Sequence, residues 1–141
     1  MKKVLGCLSM AAVAVLLAAP VSAQTRTLKV SVPFDFVVGG HTLPAGDYAV
    51  DKVNDLGLLE FRSVSNWAKP IVIATSVPGK TAAAGEAFLT FHRYGRDYFL
   101  AEVWNGYTAQ GRSMWMSRTE HERANRASLN KPEVVMVLAS R

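Results

Sequence analysis

The sequence predicts an all-β fold, a single antiparallel β-sandwich or barrel of seven or eight strands with one short helix before the last strand. Hydrophobic residues occupy every second position from Leu28 to Val38, which is the period of a half-buried strand. Short apolar runs then recur along the chain at intervals of roughly ten residues, separated by clusters rich in glycine, proline, asparagine and aspartate. Residues 118–127 alone combine a helix start signal with helix-compatible side chains.

The first predicted strand places one set of alternating side chains in the core, Phe34 and Phe36 among them. The set comprises Leu28, Val30, Val32, Phe34, Phe36 and Val38. Pro33 lies within this run, and its missing N–H cannot join a hydrogen-bonded ladder. We therefore expect a bulge or a sheet edge at Pro33.

The remaining strands follow from similar runs bounded by turn residues. We expect them at residues 47–53, 58–64, 71–77, 86–94, 98–104, 111–116 and 134–139. The run 71–77 is rich in β-branched residues on both faces, which favours a central strand covered on both sides. Residues 78–85 are interpreted as a loop.

The predicted helix, residues 118–127, begins with a capping box. Ser117 and Glu120 have the spacing at which the hydroxyl accepts from the third helical amide while the carboxylate reaches back to the cap. Ala124 and Ala127 are its only apolar members, so it has almost no stripe to bury. We expect it on the surface or at one end of the sheet.

The N-terminus has the pattern of a secretory signal peptide. Lys2 and Lys3 precede an apolar stretch at residues 4–19, and small residues lead to a cleavage site between Ala23 and Gln24. We expect residues 1–23 to be removed, leaving one β domain at residues 24–141 in the periplasm or outside the cell. The apolar stretch is shorter than the ~20 residues of a spanning helix, so no stable membrane span is expected after cleavage. The only cysteine, Cys7, leaves with the signal.

Charge and motif content argue against several function classes. The formal net charge is +5, and the basic residues are dispersed, unlike the clustered patch of a nucleic-acid-binding domain. His121-Glu122 begins like a zinc-protease helix, but Asn125 stands where the second histidine belongs. No nucleophile elbow of the Gly-x-Ser-x-Gly type occurs. We therefore predict no catalytic residue, no metal site, no cofactor and no nucleic-acid partner.

The densest group of functional side chains lies in the hairpin of residues 91–104. The candidate binding residues are His92, Arg93, Tyr94, Tyr98, Glu102 and Trp104. Alternation places His92 and Tyr94 on one face of the first strand, and it places Tyr98, Leu100, Glu102 and Trp104 on one face of the second. Such a patch suits recognition of a ligand. The alternative is cross-strand stabilisation of an exposed sheet face.

Several segments together resemble a family of short exported proteins of unknown function that is common in acidobacterial genomes. The segments are residues 32–40 (VPFDFVVGG), 43–48 (LPAGDY), 91–95 (FHRYG), 98–104 (YFLAEVW), 117–123 and 132–135 (PEVV). The resemblance spans nearly the whole mature chain. It implies one folding unit in a periplasmic or secreted setting, and it gives no site residues.

These observations favour an exported, non-catalytic β module of the cell envelope that binds a protein or a surface polymer. One alternative is a carrier that holds a small ligand in the lumen of a closed barrel, which about eight strands can enclose. A third is a hydrolase that uses His92 and Glu102. An apolar lumen would favour the carrier, and a hydrogen bond between His92 and Glu102 within a pocket would favour the hydrolase.

Overall fold

The computed structural model describes residues 27–65, 72–81, 85–127 and 131–141. The predicted signal peptide and its cleavage site at Ala23 and Gln24 lie outside these residues, as does Ile71. Ten strands and one helix follow in chain order: β1 (Leu28–Val32), β2 (Phe36–Val38), β3 (His41–Leu43), β4 (Gly46–Lys52), β5 (Leu58–Ser63), β6 (Val72–Thr81), β7 (Ala87–Tyr94), β8 (Asp97–Asn105), β9 (Gln110–Met114), α1 (Arg118–Arg126) and β10 (Glu133–Ser140).

Eight of these strands close an antiparallel barrel, which confirms the predicted all-β class and the single helix before the last strand. The ring runs β1-β4-β5-β6-β9-β8-β7-β10 and returns to β1. It closes where Glu102 and Val103 of β8 pair with Ser113 and Arg112 of β9. Of the two predicted architectures, sandwich and barrel, the structure therefore has the barrel.

The small hairpin β2–β3 is an addition to this ring. It attaches to β8 through a parallel pairing of Val37 with Phe99, in the half of β8 that β9 does not cover. The first predicted strand is thus two strands, because the chain breaks its ladder at Pro33 and re-enters the sheet at Phe36. Gly39 and Gly40 take positive φ and make the turn to β3.

The core follows the predicted alternation. The inner face of β1 and β2 is buried, and Phe36 contacts Tyr48 and Phe91 edge to face. Phe34 is half-buried, stacked on Tyr98 and set edge-on to Phe91. Both phenylalanines therefore pack on the inner side, as expected.

The expectations for β6 are wrong in two respects. Its outer face is not covered, since Ile73 is 54% exposed. The strand also continues through Pro78 to Thr81, where a loop was expected, because β9 pairs alongside it with a register irregularity after Pro78. β-Branched residues on both faces therefore reflect strand propensity here and not double burial.

Helix α1 begins as predicted but uses its acidic residue differently. The Ser117 hydroxyl accepts a hydrogen bond from the Glu120 amide at 3.1 Å, which completes half of the capping box. The Glu120 carboxylate is turned instead toward β7, and this residue is only 4% exposed. None of the helical segments in the described residues has the length and hydropathy of a transmembrane helix.

Candidate functional site

The hairpin β7–β8 does not present the predicted patch on one surface. The register shifts at Thr90 and Phe91 of β7, which oppose Glu102 and Leu100, so Ala101 is an extra residue on β8. Because of this one extra residue, side chains before and after Ala101 that simple alternation would place on the same face lie on opposite faces of the sheet. The prediction that Tyr98, Leu100, Glu102 and Trp104 share one face is therefore wrong.

Arg93 and Tyr98 lie on the inner side, at one end of the barrel. Tyr98 stacks on Phe34 with ring centroids 3.8 Å apart. The Arg93 guanidinium lies 5.5 Å from the Tyr98 ring centroid and donates to the Glu133 carboxylate at 3.2 Å. Both predicted binding residues are thus engaged within the protein.

The other four predicted residues lie on the outer face. Tyr94 is nearly buried against Phe99, and Trp104 is 6% exposed and stacks on Phe88. The Trp104 indole donates to the Glu102 carboxylate at 3.1 Å. The aromatic members therefore form cross-strand contacts, and His92 and Glu102 remain half-exposed.

His92 finds its partner on the helix. Its Nδ1 lies 2.8 Å from Oε1 of Glu120, a contact across the sheet-to-helix interface. Burial raises the pKa of the Tyr94 phenol, and the Glu120 carboxylate adds to this effect through its charge. The Glu120 carboxylate thus acts on two side chains of β7, and it holds α1 against the outer surface of the barrel.

A pocket of about 220 Å³ lies between α1 and the outer face of the sheet. His92, Glu102, Ser113 and Glu120 line it. His92 and Glu102 share this pocket but bind Glu120 and Trp104 respectively, and they form no hydrogen bond with each other. The described residues contain no cluster of three or more His, Cys, Asp or Glu side chains that could hold a metal ion.

The barrel lumen is largely filled. Phe36, Phe61, Phe91 and Leu89 are almost completely buried in its interior. A pocket of about 210 Å³ lies at one end of the interior, with an apolar floor and a polar rim. The predicted carrier alternative required an apolar lumen, and this end pocket has an apolar floor.

The last strand, β10, exposes three large apolar side chains in a row. Val134, Met136 and Leu138 are 63%, 55% and 71% exposed, while the alternate residues of the strand pack against the core. Sequence reasoning missed this feature. The signal was the unbroken apolar run at residues 134–139, since a strand that faces water on one side usually alternates.

No family model, curated protein or solved structure matches this chain.

Proposed function

We propose that this protein is a non-catalytic binding module of the cell envelope that takes an extended segment of a partner protein on β10. The observation that carries the proposal is the exposed apolar row of Val134, Met136 and Leu138. Half-buried Phe88 pairs with Leu138 and extends the row onto β7. Contiguous exposed apolar surface on a small domain is typical of an interaction site.

The backbone of β10 supports a strand-like partner. β10 pairs with β7 from Glu133 to Leu138, but with β1 only at Ala139 and Ser140. Among the described residues, the first six positions of β10 form no ladder pairs on their second edge. An extended peptide can form main-chain hydrogen bonds at such an edge, while its alternate side chains contact the apolar row.

The chemistry of the row favours a polypeptide over a surface polymer. Its three side chains are aliphatic or thioether groups with no hydrogen-bonding atoms of the kind that a sugar chain needs. Trp115, an exposed tryptophan of the kind that can form a sugar-stacking platform, lies after β9 and outside this row. The envelope setting is supported by the signal-peptide pattern at residues 1–23.

Site-specific photocrosslinking in the native envelope tests the proposal. A photoreactive side chain at Met136 should yield an adduct with another protein, and mass spectrometry of the linked peptide should show apolar residues at alternating positions. The matched control is the same side chain at Ile73, which is equally exposed on the outer face of β6. We expect no adduct there.

A double substitution, Val134→Ser with Leu138→Ser, provides the second arm. It should abolish the adduct at position 136 while leaving the urea unfolding midpoint nearly unchanged, since both side chains are exposed. Equal adducts at positions 136 and 73, a linked peptide from this chain itself, or linkage to carbohydrate would each contradict the proposal.

A further inference from the structure

The end pocket of the barrel combines an apolar floor with a basic group. Its floor consists of inner-face residues from four strands, namely Leu28, Val50, Leu59 and Val103. Asn105, Thr108, Gln110 and Arg112 form the polar side of the mouth. This pocket lies inside the ring, separate from the outer face of β10.

Arg112 lies on the inner face of β9. It pairs with Val103 of β8, whose side chain is buried in the core, so its own side chain shares that face. Its Nε donates to the Ser76 hydroxyl and its Nη2 to the Ser76 carbonyl, both at 3.0 Å. Inward-facing arginine is uncommon in a small barrel, because a charge removed from water is costly unless it is paired.

The local backbone is shaped around this guanidinium. The Ser76 hydroxyl donates in turn to the Gly57 carbonyl at 2.7 Å. Gly57 has a φ of +101°, and a Cβ at this position would lie 2.0 Å from Nη2 of Arg112. Glycine is therefore required at position 57 both for its backbone conformation and for the space that Arg112 occupies.

The charge of Arg112 has no carboxylate partner among the described residues. Its hydrogen bonds go to two neutral oxygens of Ser76, and its Nη1 donates to no described group. Two other charged residues line the pocket: Lys52, which pairs with Asp55 at 2.5 Å, and Asp51. Asp51 alternates with inner-facing Val50, so its carboxylate belongs to the outer face of β4.

We propose that this pocket binds a small monocarboxylate with an apolar body, such as a short fatty acid or an aromatic acid. The carboxylate accepts from the free donors of Arg112, and the hydrocarbon part rests on the apolar floor. Planar guanidinium groups pair well with carboxylates in this way. An apolar cavity of ~150 Å³ holds benzene, so a pocket of about 210 Å³ suits a ring or chain of that size with its carboxylate at the mouth.

Titrations with benzoate and hexanoate, followed by NMR and calorimetry, test this inference. Both acids should bind saturably with one-to-one stoichiometry. They should shift the methyl signals of Leu28, Val50, Leu59 and Val103 and the Nε signal of Arg112. Benzamide and hexanamide, which have the same shape without the charge, should bind at least about tenfold more weakly. Acetate, which lacks the apolar body, should also bind weakly.

Two variants separate the anion site from the fold. Arg112→Gln should weaken benzoate binding about tenfold or more. If this variant unfolds because Ser76 loses its partners, Gln110→Glu replaces it, since residue 110 is exposed at the mouth and the change is isosteric. Gln110→Glu should weaken binding several-fold through repulsion. Thr42→Glu, an equal charge change at an exposed position on β3, should leave it unchanged.

Three results would overturn the inference. They are equal affinity for acid and amide, an unchanged affinity in Gln110→Glu, and signal shifts confined to residues outside the pocket. None of these results bears on β10, so the experiments test the ligand pocket and the partner-binding surface independently.

Discussion

Replacing Phe36 with alanine is the sharpest test of which face of the first strands forms the core. Phe36 is 1% exposed and contacts Tyr48 and Phe91 at centroid distances of 5.3 and 5.4 Å. Losing a fully buried aromatic side chain forfeits about 1.5–3 kcal/mol of transfer free energy. An unrelaxed cavity of ~100 Å³ adds about 2 kcal/mol at ~24 cal/mol per Å³. We therefore expect the free energy of unfolding to fall by about 3–5 kcal/mol.

Urea unfolding monitored by tryptophan fluorescence measures this loss. With a slope of about 2 kcal/mol per molar, the midpoint should fall by roughly 2 M. Val37→Ala is the matched control, because Val37 is the next residue on β2 and is only half-buried. It should cost roughly 1 kcal/mol. A loss below about 1 kcal/mol for Phe36→Ala would refute the assignment of this face to the core.

Three further predictions concern the helix cap, a buried phenol and the N-terminus. Ser117→Ala removes the acceptor for the first-turn amide and should lower the unfolding free energy by about 1 kcal/mol in urea melts, and an unchanged midpoint would show that the cap is dispensable. Burial, and secondarily the charge of Asp35, raises the pKa of the Tyr48 phenol. Because the folded pKa lies above the unfolded one, this contribution to stability is complete below pH ~10 and is lost as the pH rises through the folded pKa. Tyr48→Phe should flatten that alkaline decline, and a wild-type protein whose stability does not change above pH ~10 would contradict the reasoning. N-terminal sequencing of the envelope protein should begin at Gln24, whereas a retained Met1 in the membrane fraction would indicate an anchor.

In the hairpin β7–β8, the sequence predicts the strands and the turn but not the register between the strands. The strands and their turn at residues 95–96 were predictable from local patterns, and so was the common face of His92 and Tyr94. The extra residue at Ala101 was not, because no local signal marks a bulge that depends on the pairing with β7. One residue of register moved Tyr98 away from Glu102 and Trp104 and divided the proposed patch between two faces.

The placement of two charged side chains, Arg112 and Glu120, also depends on distant segments. Arg112 looks like one more surface arginine in the sequence, and it faces the lumen because β9 closes the ring against β8. Glu120 fits a capping box by spacing, yet its carboxylate binds His92, 28 positions earlier in the chain. Such pairings join residues that lie too far apart in the chain for a local sequence pattern to predict them.

The sequence by itself determined the all-β class, the inner face of the first strands, the capped helix before the last strand and the expectation of export. These follow from period-two hydrophobicity, turn residues and hydrogen bonds between near neighbours, all of which act over a few residues. Tertiary structure decided that the sheet closes, that β10 keeps an uncovered apolar face and that an arginine with no carboxylate partner among the described residues lies at the mouth of the lumen. Closure, register and burial are set by which strands meet, and that choice minimises the free energy of the whole chain rather than of any one segment.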